Sequence, residues 1–359
     1  MASTRRCRSV RAAIDRSIAA TVTPRAFLPE SKLPAAVAWN GDAVAYIDQR
    51  LLPFEVRVCR ARTADEIAGA IETLAVRGAP CIGVFAAYGI ALLRKTITDD
   101  SAFSAVAARV RSARPTAVNL AWAVDRVLAA EDMLAEAQTI HREQEAVDAA
   151  IARYGLDLIP QDARIITHCN TGPLATGAGG TALGIIIEAH RAGKKPRVFV
   201  NETRPLLQGS RLTEWELRGT GVDAVLEADS AAAVAMARER IDLVLVGADR
   251  VVRNGDTANK VGTYALAVLA SHHGIPFYVA APRSSFDFSI ESGAGIPIEQ
   301  RGAGEVTSFA GIPVAEPSAN VFNPAFDVTP RRLITAFVTE FGIVRPPYQD
   351  NIEVLRLSR

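Results

Sequence analysis

From Ala163 to Pro282 the chain alternates short apolar runs with helical stretches, and this alternation limits the fold more than any other feature. The apolar runs are continuous in Val, Ile, Leu and Phe, which is typical of strands buried on both faces. Strands and helices in this order predict a parallel sheet covered by helices. The runs include "ARIITHC", "PRVFVNE", "DLVLVGAD" and "PFYVAAP".

The 359 residues exceed one ordinary compact core, so we expect two domains. The fold class is α/β, with a Rossmann-like parallel-sheet domain at 156–346 and a smaller, mostly helical N-terminal domain at 31–155. The smaller domain carries a β-hairpin around Asn40-Gly41, and a capping box at Thr63 starts a helix that ends at "RGAP". After "ARPTAVNLAWAV", Ala113 to Val124, a long helical pattern continues to about Tyr154 and joins the domains.

The two ends of the chain are set apart from these domains. Segment 1–30 is rich in arginine, and we expect a solvated, flexible tail, with organelle targeting as the alternative. Segment 347–359 is interpreted as a C-terminal tail.

Charge and cysteine content exclude several function classes. Lys and Arg total 40 against 39 Asp and Glu, so we expect no nucleic-acid and no membrane partner and favour a small ligand. The longest apolar run, Cys81 to Leu93, is too short for a membrane span and predicts a buried helix. Cys7, Cys59, Cys81 and Cys169 are far apart, which argues against disulfides and a metal site and favours a reducing, cytoplasmic compartment.

Polar residues collect where the predicted strands end. Ligands bind at the carboxyl ends of an open parallel sheet, because loops and helix N-termini converge there. The residues at these ends are Cys169, Asn170, Glu202, Arg204, Asp249, Arg250, Arg283 and Ser284.

Cys169 has two interpretations. A lone cysteine is usually a small buried hydrophobe. Its position before a glycine-rich loop favours a reactive thiol, because backbone amides at a helix N-terminus lower the pKa of a thiol. The preceding His168 points to the opposite face of its strand, and we expect it to be hydrogen-bonded structure.

Asp249 ends the apolar run "LVLVGAD" and also has two interpretations. It caps the next loop or pairs with Arg250, or else burial raises the pKa of its carboxyl so that it donates a proton near neutral pH. Nearby cations favour an anionic ligand, since Arg77, Arg114, Arg204 and Lys260 could together hold a phosphate.

The loop Gly177 to Ala182 matches the dinucleotide pattern G-x-G-x-x-A, which raises an NAD-dependent dehydrogenase as an alternative. Its context does not fit, because the first glycine stands eight residues beyond Cys169 and not at the end of the strand. We therefore expect no cofactor.

Several long motifs resemble the methylthioribose-1-phosphate isomerase family, which shares a superfamily with regulatory subunits of the exchange factor for eukaryotic initiation factor two. The resemblance covers roughly Leu33 to Val344. The motifs are "IDQRLLP", "RGAPCIG", "ARPTAVNL", "THCNTGPLAT", "ETRPLLQGSRLTEWEL", "VGADRV" and "NGDTANKVGTYALA".

The resemblance implies an aldose–ketose isomerase of methionine salvage that acts on a sugar phosphate and forms a homodimer. It implies that Asp249 is the acid that protonates the ring oxygen, and that Cys169 exchanges a proton with C1 or C2 or polarises a direct hydride shift. The substrate contacts that it implies are Arg77, Gly78, Ala79, Arg114, Gln208, Asn259 and Lys260. Asn259 and Lys260 are expected to open a helix that faces the phosphate.

Three departures from the family pattern leave the 5-substituent of the sugar open. Asn201 stands where the family has an acid, Ala178 to Gly180 form a smaller loop that could widen the substrate pocket, and Cys81 is interpreted as core packing. A 5-deoxyribose 1-phosphate isomerase therefore stays an alternative. A non-catalytic regulatory relative is another, although it would need neither Cys169 nor Asp249.

Overall fold

The computed structural model describes residues 33–114, 118–309 and 311–357, so the arginine-rich segment 1–30 and Cys7 lie outside the described residues. The N-terminal part contains a three-stranded antiparallel sheet followed by helices. Its elements are β1 (Val37–Trp39), β2 (Val44–Ile47), β3 (Val58–Ala61), α1 (Ala64–Glu72), α2 (Ala79–Thr96), α3 (Asp100–Arg111), α4 (Val118–Leu128) and α5 (Met133–Leu156).

The predicted hairpin and capping box are both confirmed, but the helices differ in two respects. The sheet gains β3 as a third strand next to β2. Helix α1 ends at Glu72, before "RGAP", and Leu74 with a φ of 63° turns the chain. The predicted long helix is two helices, because the side chain of Asp132 accepts hydrogen bonds from Leu134 N and Ala135 N and starts α5 anew.

The C-terminal part is built on a seven-stranded sheet, which confirms the predicted Rossmann-like fold. The strand order is β16-β15-β10-β7-β4-β5-β6, parallel throughout except for β16. The strands are β4 (Arg164–Thr167), β5 (Arg197–Asn201), β6 (Asp223–Glu227), β7 (Leu243–Val246), β10 (Phe277–Ala280), β15 (Ala336–Thr339) and β16 (Gly342–Val344). Successive strands run outwards from β4 on one side and from β7 on the other, so the switch point of the topology lies between these two neighbours.

Helices cover both faces of this sheet, as its apolar strands require. One face packs against α5, α7 and α8, and the other against α9, α10 and α12. The helices are α6 (Pro173–Thr176), α7 (Ala182–Arg191), α8 (Glu214–Gly219), α9 (Ala232–Arg238), α10 (Thr263–His272), α11 (Gly304–Thr307) and α12 (Tyr348–Leu357). Segment 347–359 thus contains a helix whose Tyr348, Ile352 and Leu355 are buried in the core.

A four-stranded sheet of order β11-β8-β9-β14 lies beside the main sheet, and the sequence patterns do not predict it. Its strands are β8 (Arg250–Val252), β9 (Thr257–Lys260), β11 (Phe286–Asp287) and β14 (Phe326–Thr329). A short hairpin of β12 (Ser308–Phe309) and β13 (Ile312–Pro313) follows α11. Asn259 and Lys260 therefore end a strand, and the prediction that they open a helix is wrong because β14 pairs with that segment.

Candidate active site

Cys169 and Asp249 follow the two neighbouring strands at the switch point of the sheet. Cys169 comes after β4 and Asp249 after β7, and both line one cavity of about 140 Å³ at the carboxyl ends of these strands. The position agrees with the rule that open α/β sheets bind ligands at this point.

Every residue that the family resemblance assigned to catalysis or substrate binding lines this same cavity. They come from both parts of the chain: Arg77, Gly78, Ala79, Arg114, Cys169, Gln208, Asp249, Asn259 and Lys260. The other cations at strand ends do not line it. Arg204 donates to the carbonyls of Pro205, Glu305 and Val306, so the prediction that Arg204 helps to hold a phosphate in this cavity is wrong.

Backbone contacts hold Cys169 in a left-handed conformation with a φ of 65°, which is unfavourable for a residue with a Cβ. Its N–H donates to Thr203 Oγ1 at 2.9 Å, and its carbonyl accepts from Thr213 Oγ1 at 2.6 Å. The residue is partly buried. Hydroxyl groups on either side therefore fix the direction in which the thiol leaves the backbone.

The surroundings of the thiol differ from the sequence prediction. Burial raises the pKa of Cys169, although the charges of Arg77 and Lys260 act in the opposite direction. The amides of Gly179 and Gly180 do not face the thiol, because they donate to Asp148 Oδ2 at 2.9 and 2.8 Å. The prediction that amides of the glycine-rich loop lower the pKa of Cys169 is therefore wrong. The charges of Arg77 and Lys260 and the backbone N–H of Asn170 act in that direction instead.

The carboxyl of Asp249 has no hydrogen-bond or ion-pair partner among the described residues. Arg250 pairs with Asp287 at 3.1 Å, so the alternative of an Asp249–Arg250 pair does not hold. Burial raises the pKa of Asp249 despite the lowering effect of Lys260, Arg77 and Arg114. Its exposed surface faces the cavity, and a proton donor there would meet a bound ligand.

Two arginines bring unmatched positive charge to the cavity. Arg77 Nη2 donates to the carbonyl and to Oδ1 of Asn170, both at 3.1 Å, which leaves its other N–H groups for a ligand. Arg114 has no hydrogen-bond or ion-pair partner in the described part of the chain, and burial lowers its pKa. A desolvated guanidinium without a carboxylate partner is a site for an anion.

The N-terminus of α2 adds a second anion-binding feature to the same wall. Gly78 has a φ of 94°, and Ala79 begins the helix with no side chain capping its N–H groups. An added Cβ on Gly78 would lie 2.2 Å from the carbonyl oxygen of Ala175, so only glycine fits. Free amides and the helix dipole favour a phosphate there.

On the opposite wall, Lys260 is buried, donates to Ala325 O at 3.0 Å and lies 5.1 Å from the ring centre of Phe326. Gln208 is buried as well, and its Oε1 has no hydrogen-bond partner. It precedes a π-helical turn, Gly209–Thr213, a feature that often marks functional sites. An unsatisfied amide oxygen at the cavity fits a ligand hydroxyl.

His168 and Asn201 form a buried pair beneath the site. His168 Nε2 lies 2.9 Å from Val261 O and its Nδ1 lies 3.2 Å from Asn201 Nδ2, so the ring is neutral and protonated at Nε2. Burial lowers the pKa of His168. The expectation that His168 is hydrogen-bonded structure is confirmed, and Asn201 holds its tautomer.

The glycine loop does not fit a dinucleotide. The short helix α6 separates it from β4, and Asp148 already occupies the amides of Gly179 and Gly180 that would meet a pyrophosphate. Ala178 and Gly179 line a different cavity from Cys169, so the expectation that a smaller loop widens the substrate pocket is not met. Cys81 is fully buried in the N-terminal core, as predicted.

The sequence patterns missed the residues that support the site and close its far side. Thr203, Thr213 and Glu216 belong to the motif "ETRPLLQGSRLTEWEL", whose length was the only local signal of their importance. Glu299, Arg301 and Phe326 line the cavity from a segment without a recognisable motif.

A second cavity of about 710 Å³ adjoins the first and shares Arg114 and Asp249 with it. Apolar side chains line its other side: Ile82, Phe286, Phe288, Ile296 and Pro297. The combined space suits a ligand with an anionic end and an apolar end. No group of three or more His, Cys, Asp or Glu side chains is placed to hold a metal ion within the described ranges.

None of the helices in the described part of the chain has the length and apolarity that crossing a membrane requires.

The chain matches the Initiation factor 2 subunit family over residues 75–346. The methylthioribose-1-phosphate isomerase of Pelotomaculum thermopropionicum is 51% identical over 334 residues, covering 88% of this chain and 92% of that protein. The 5-deoxyribose 1-phosphate isomerase of Moorella thermoacetica is 48% identical over 337 residues, covering 89% and 96%.

Two solved structures share the fold at similar identity. The 5-methylthioribose 1-phosphate isomerase from Pyrococcus horikoshii OT3 has a TM-score of 0.86 at 40% identity and covers 94% of this chain and 99% of that one. The translation initiation factor eIF-2B, subunit delta, from A. fulgidus has a TM-score of 0.82 at 39% identity, with coverage of 90% and 100%.

Proposed function

Because the chain belongs to the Initiation factor 2 subunit family, we propose that it is one of that family's enzymes: an aldose–ketose isomerase of methionine salvage. Its substrate is 5-methylthioribose 1-phosphate and its product is 5-methylthioribulose 1-phosphate. The observation that carries the proposal is one cavity that holds the Cys169 thiol together with the Asp249 carboxyl and the Arg114 guanidinium, neither of which has a partner among the described residues. A non-catalytic regulatory relative would need none of these groups.

The phosphate binds between the two parts of the chain. Arg77, the amides at Gly78 and Ala79, and Arg114 hold it from the N-terminal side, and Asn259 and Lys260 approach from the other. Gln208 accepts a hydrogen bond from a sugar hydroxyl. The apolar cavity around Phe286 and Ile296 receives the 5-methylthio group.

Ring opening needs an acid, because C1 carries a phosphate ester and the sugar cannot open to a free aldehyde. Asp249 donates its proton to the ring oxygen while the bond from C1 to that oxygen breaks. Burial keeps the carboxyl protonated at higher pH than an ordinary aspartate, which is what this step requires.

Cys169 acts on the opened sugar by one of two routes. In the first, ring opening leaves an oxocarbenium at C1, and the thiolate of Cys169 takes the proton from C2, so that the electrons of the C2–H bond form an enol phosphate. The thiol then returns the proton to C1 while the C2 hydroxyl gives its proton to the carboxylate of Asp249, and C2 becomes the carbonyl carbon. In the second, hydride moves from C2 to C1, the C2 hydroxyl loses its proton, and the thiol polarises the site. Substrate deuterated at C2 separates the routes, since proton transfer loses label to water and hydride shift keeps it on C1.

Proton NMR of the purified protein with 5-methylthioribose 1-phosphate tests the activity directly. We expect the ketose signal to appear in buffer without added metal or cofactor. Its absence at high protein concentration would contradict the proposal. The same experiment with 5-deoxyribose 1-phosphate tests the alternative substrate, which the relative from Moorella thermoacetica supports.

We also propose that the protein is a homodimer in a reducing, cytoplasmic compartment. The family resemblance supports the dimer, and the wide separation of the cysteines supports the compartment. Light scattering coupled to size-exclusion chromatography tests the first point, and a mass near 38.3 kDa, that of one chain, would contradict it.

A further inference from the structure

Glu216 is a fully buried acid that lines neither of the two adjoining cavities, yet it contacts the segments that do. Its Oε2 accepts from Asn170 Nδ2 at 2.5 Å, and its Oε1 accepts from Leu174 N at 2.7 Å. The neighbouring Gly172 leaves room for it, since an added Cβ there would lie 2.5 Å from Glu216 Oε2.

Each of these hydrogen bonds leads to the predicted phosphate-binding segment, Arg77 to Ala79. Through the first, Asn170 presents its Oδ1 to Arg77 Nη2 at 3.1 Å. Through the second, Glu216 holds the start of α6, whose Ala175 packs directly against Gly78. One carboxyl therefore supports both Arg77 and Gly78 from behind.

The amide of Asn170 has only one orientation that satisfies its neighbours. Its NH₂ group must face Glu216 and Thr213, and its oxygen must then face the guanidinium of Arg77. If the amide turned over, its NH₂ group would meet the N–H groups of Arg77 and both sides would lose their hydrogen bonds.

We propose that Glu216 is a positioning residue that orients Arg77 and Gly78 for the substrate phosphate through Asn170 and α6. This inference rests on the proposed function, because it takes a phosphate to be the ligand of that wall. Glu216 acts without touching the substrate.

The substitution Glu216→Gln tests this with almost no change in volume. A carboxyl has an acceptor on each oxygen, whereas the NH₂ group of glutamine accepts no hydrogen bond. Glutamine must therefore lose the contact with Leu174, lose the contact with Asn170, or turn Asn170 over against Arg77. Every outcome disturbs the phosphate-binding segment.

We expect E216Q to weaken the binding of inorganic phosphate, measured by calorimetry, by about tenfold, which corresponds to about 1.4 kcal/mol. The KM for the sugar phosphate should rise by a similar factor, while kcat stays within about threefold. D256N is the matched control, because Asp256 also accepts from backbone N–H groups, those of Gly293 and Arg331. Among the described residues its carboxyl forms no hydrogen bond with a residue that lines the cavity of Cys169 and Asp249. It should bind phosphate as the wild type does.

A double-variant cycle separates positioning from a general loss of stability. If Glu216 acts through Arg77, the variant carrying both R77A and E216Q binds phosphate about as weakly as R77A alone. The inference would be overturned if the two substitutions weaken phosphate binding by factors that multiply in the double variant. It would also be overturned if E216Q had wild-type phosphate affinity and KM. If E216Q does not fold, N170A breaks the same link and takes its place in every comparison.

The phosphate measurements need no turnover. If E216Q binds phosphate more weakly than the wild type and the wild type has no isomerase activity, the positioning role is supported and the proposed reaction is rejected. If E216Q binds phosphate normally and the wild type is an active isomerase, the proposed reaction is supported and the positioning role is rejected.

Discussion

The backbone N–H of Cys169 donates a 2.9 Å hydrogen bond to the hydroxyl of Thr203, which in turn donates to Asn201 O at 2.9 Å. Thr203 is fully buried and, like Cys169, has a positive φ, of 67°. The strained turn after β4 is thus held by the loop after β5. The geometry of the thiol depends on a neighbouring strand and not on its own segment.

We expect Thr203→Val to lower kcat by about tenfold or more, because it keeps the shape and removes the acceptor of the Cys169 N–H, a loss of about 1–3 kcal/mol. Thr203→Ser restores the hydroxyl and should retain kcat within about threefold. Steady-state kinetics of both variants measure the difference. A valine variant with wild-type kcat would show that the turn holds without this bond.

Cys169→Ala and Asp249→Asn should each reduce turnover by about 10³-fold or more, since Asp249 donates the proton for ring opening and Cys169 either exchanges a proton with the opened sugar or polarises the hydride shift. Binding of the sugar phosphate should stay within a few-fold, because neither group holds the phosphate. Cys81→Ala is the control for thiol removal, as Cys81 is buried in the N-terminal core and should cost only about 1 kcal/mol of stability. Near-normal rates in either active-site variant would refute its role.

Arg114→Ala and Arg204→Ala form a matched pair. Arg114 has no partner in the described chain and lines the cavity, so its loss should raise KM by about tenfold to a hundredfold, as removal of a charged hydrogen bond does. Arg204 donates to backbone carbonyls of Pro205, Glu305 and Val306, so its loss should lower the unfolding temperature and leave KM within about twofold. If both variants raised KM by the same factor, the phosphate would not bind at Arg114.

Gly78→Ala and Gly41→Ala separate backbone strain from close packing. Both glycines have positive φ, of 94° and 74°. A Cβ added to Gly78 would lie 2.2 Å from the carbonyl oxygen of Ala175, whereas a Cβ added to Gly41 would have nothing within 4 Å. G41A should cost about 1–2 kcal/mol of unfolding free energy. G78A should cost more and should also weaken phosphate binding, because α2 must move away from Ala175. Denaturant unfolding together with phosphate titration tests both effects.

The pH dependence of stability follows from Glu216. Burial raises the pKa of this carboxyl from 4.5 to about 7, so between these values the folded chain binds more protons than the unfolded chain. The free energy of unfolding therefore falls as the pH rises from about 4.5 to about 7, by roughly 3 kcal/mol at most, and levels off above.

Denaturant unfolding at several pH values measures this slope in the wild type and in E216Q. The variant should have a flatter curve, with a remaining slope from other carboxyls whose pKa burial raises, among them Glu227, to about 7, and Asp327, to about 6. Parallel curves for the two proteins would mean that Glu216 does not titrate in this range.

Local patterns in the sequence are enough to specify part of this fold. Continuous apolar runs specify a sheet buried on both faces, and such a sheet brings the residues after β4 and β7 to one edge. Cys169 and Asp249 were found for this reason, and the capping box at Thr63 and the turn at Gly78 follow from equally local signals.

Contacts between distant parts of the chain decide which polar groups are free to bind a ligand. The sequence does not distinguish Arg114 from Arg204, but in the structure Arg204 donates to backbone carbonyls, one of them that of Val306, about 100 residues further along the chain. The loop amides near Cys169 are taken by Asp148, and β9 forms because a strand about 65 residues later pairs with it. Partners this distant leave no periodic trace in the sequence, because hydrogen bonding and desolvation depend on what the fold brings within a few ångströms.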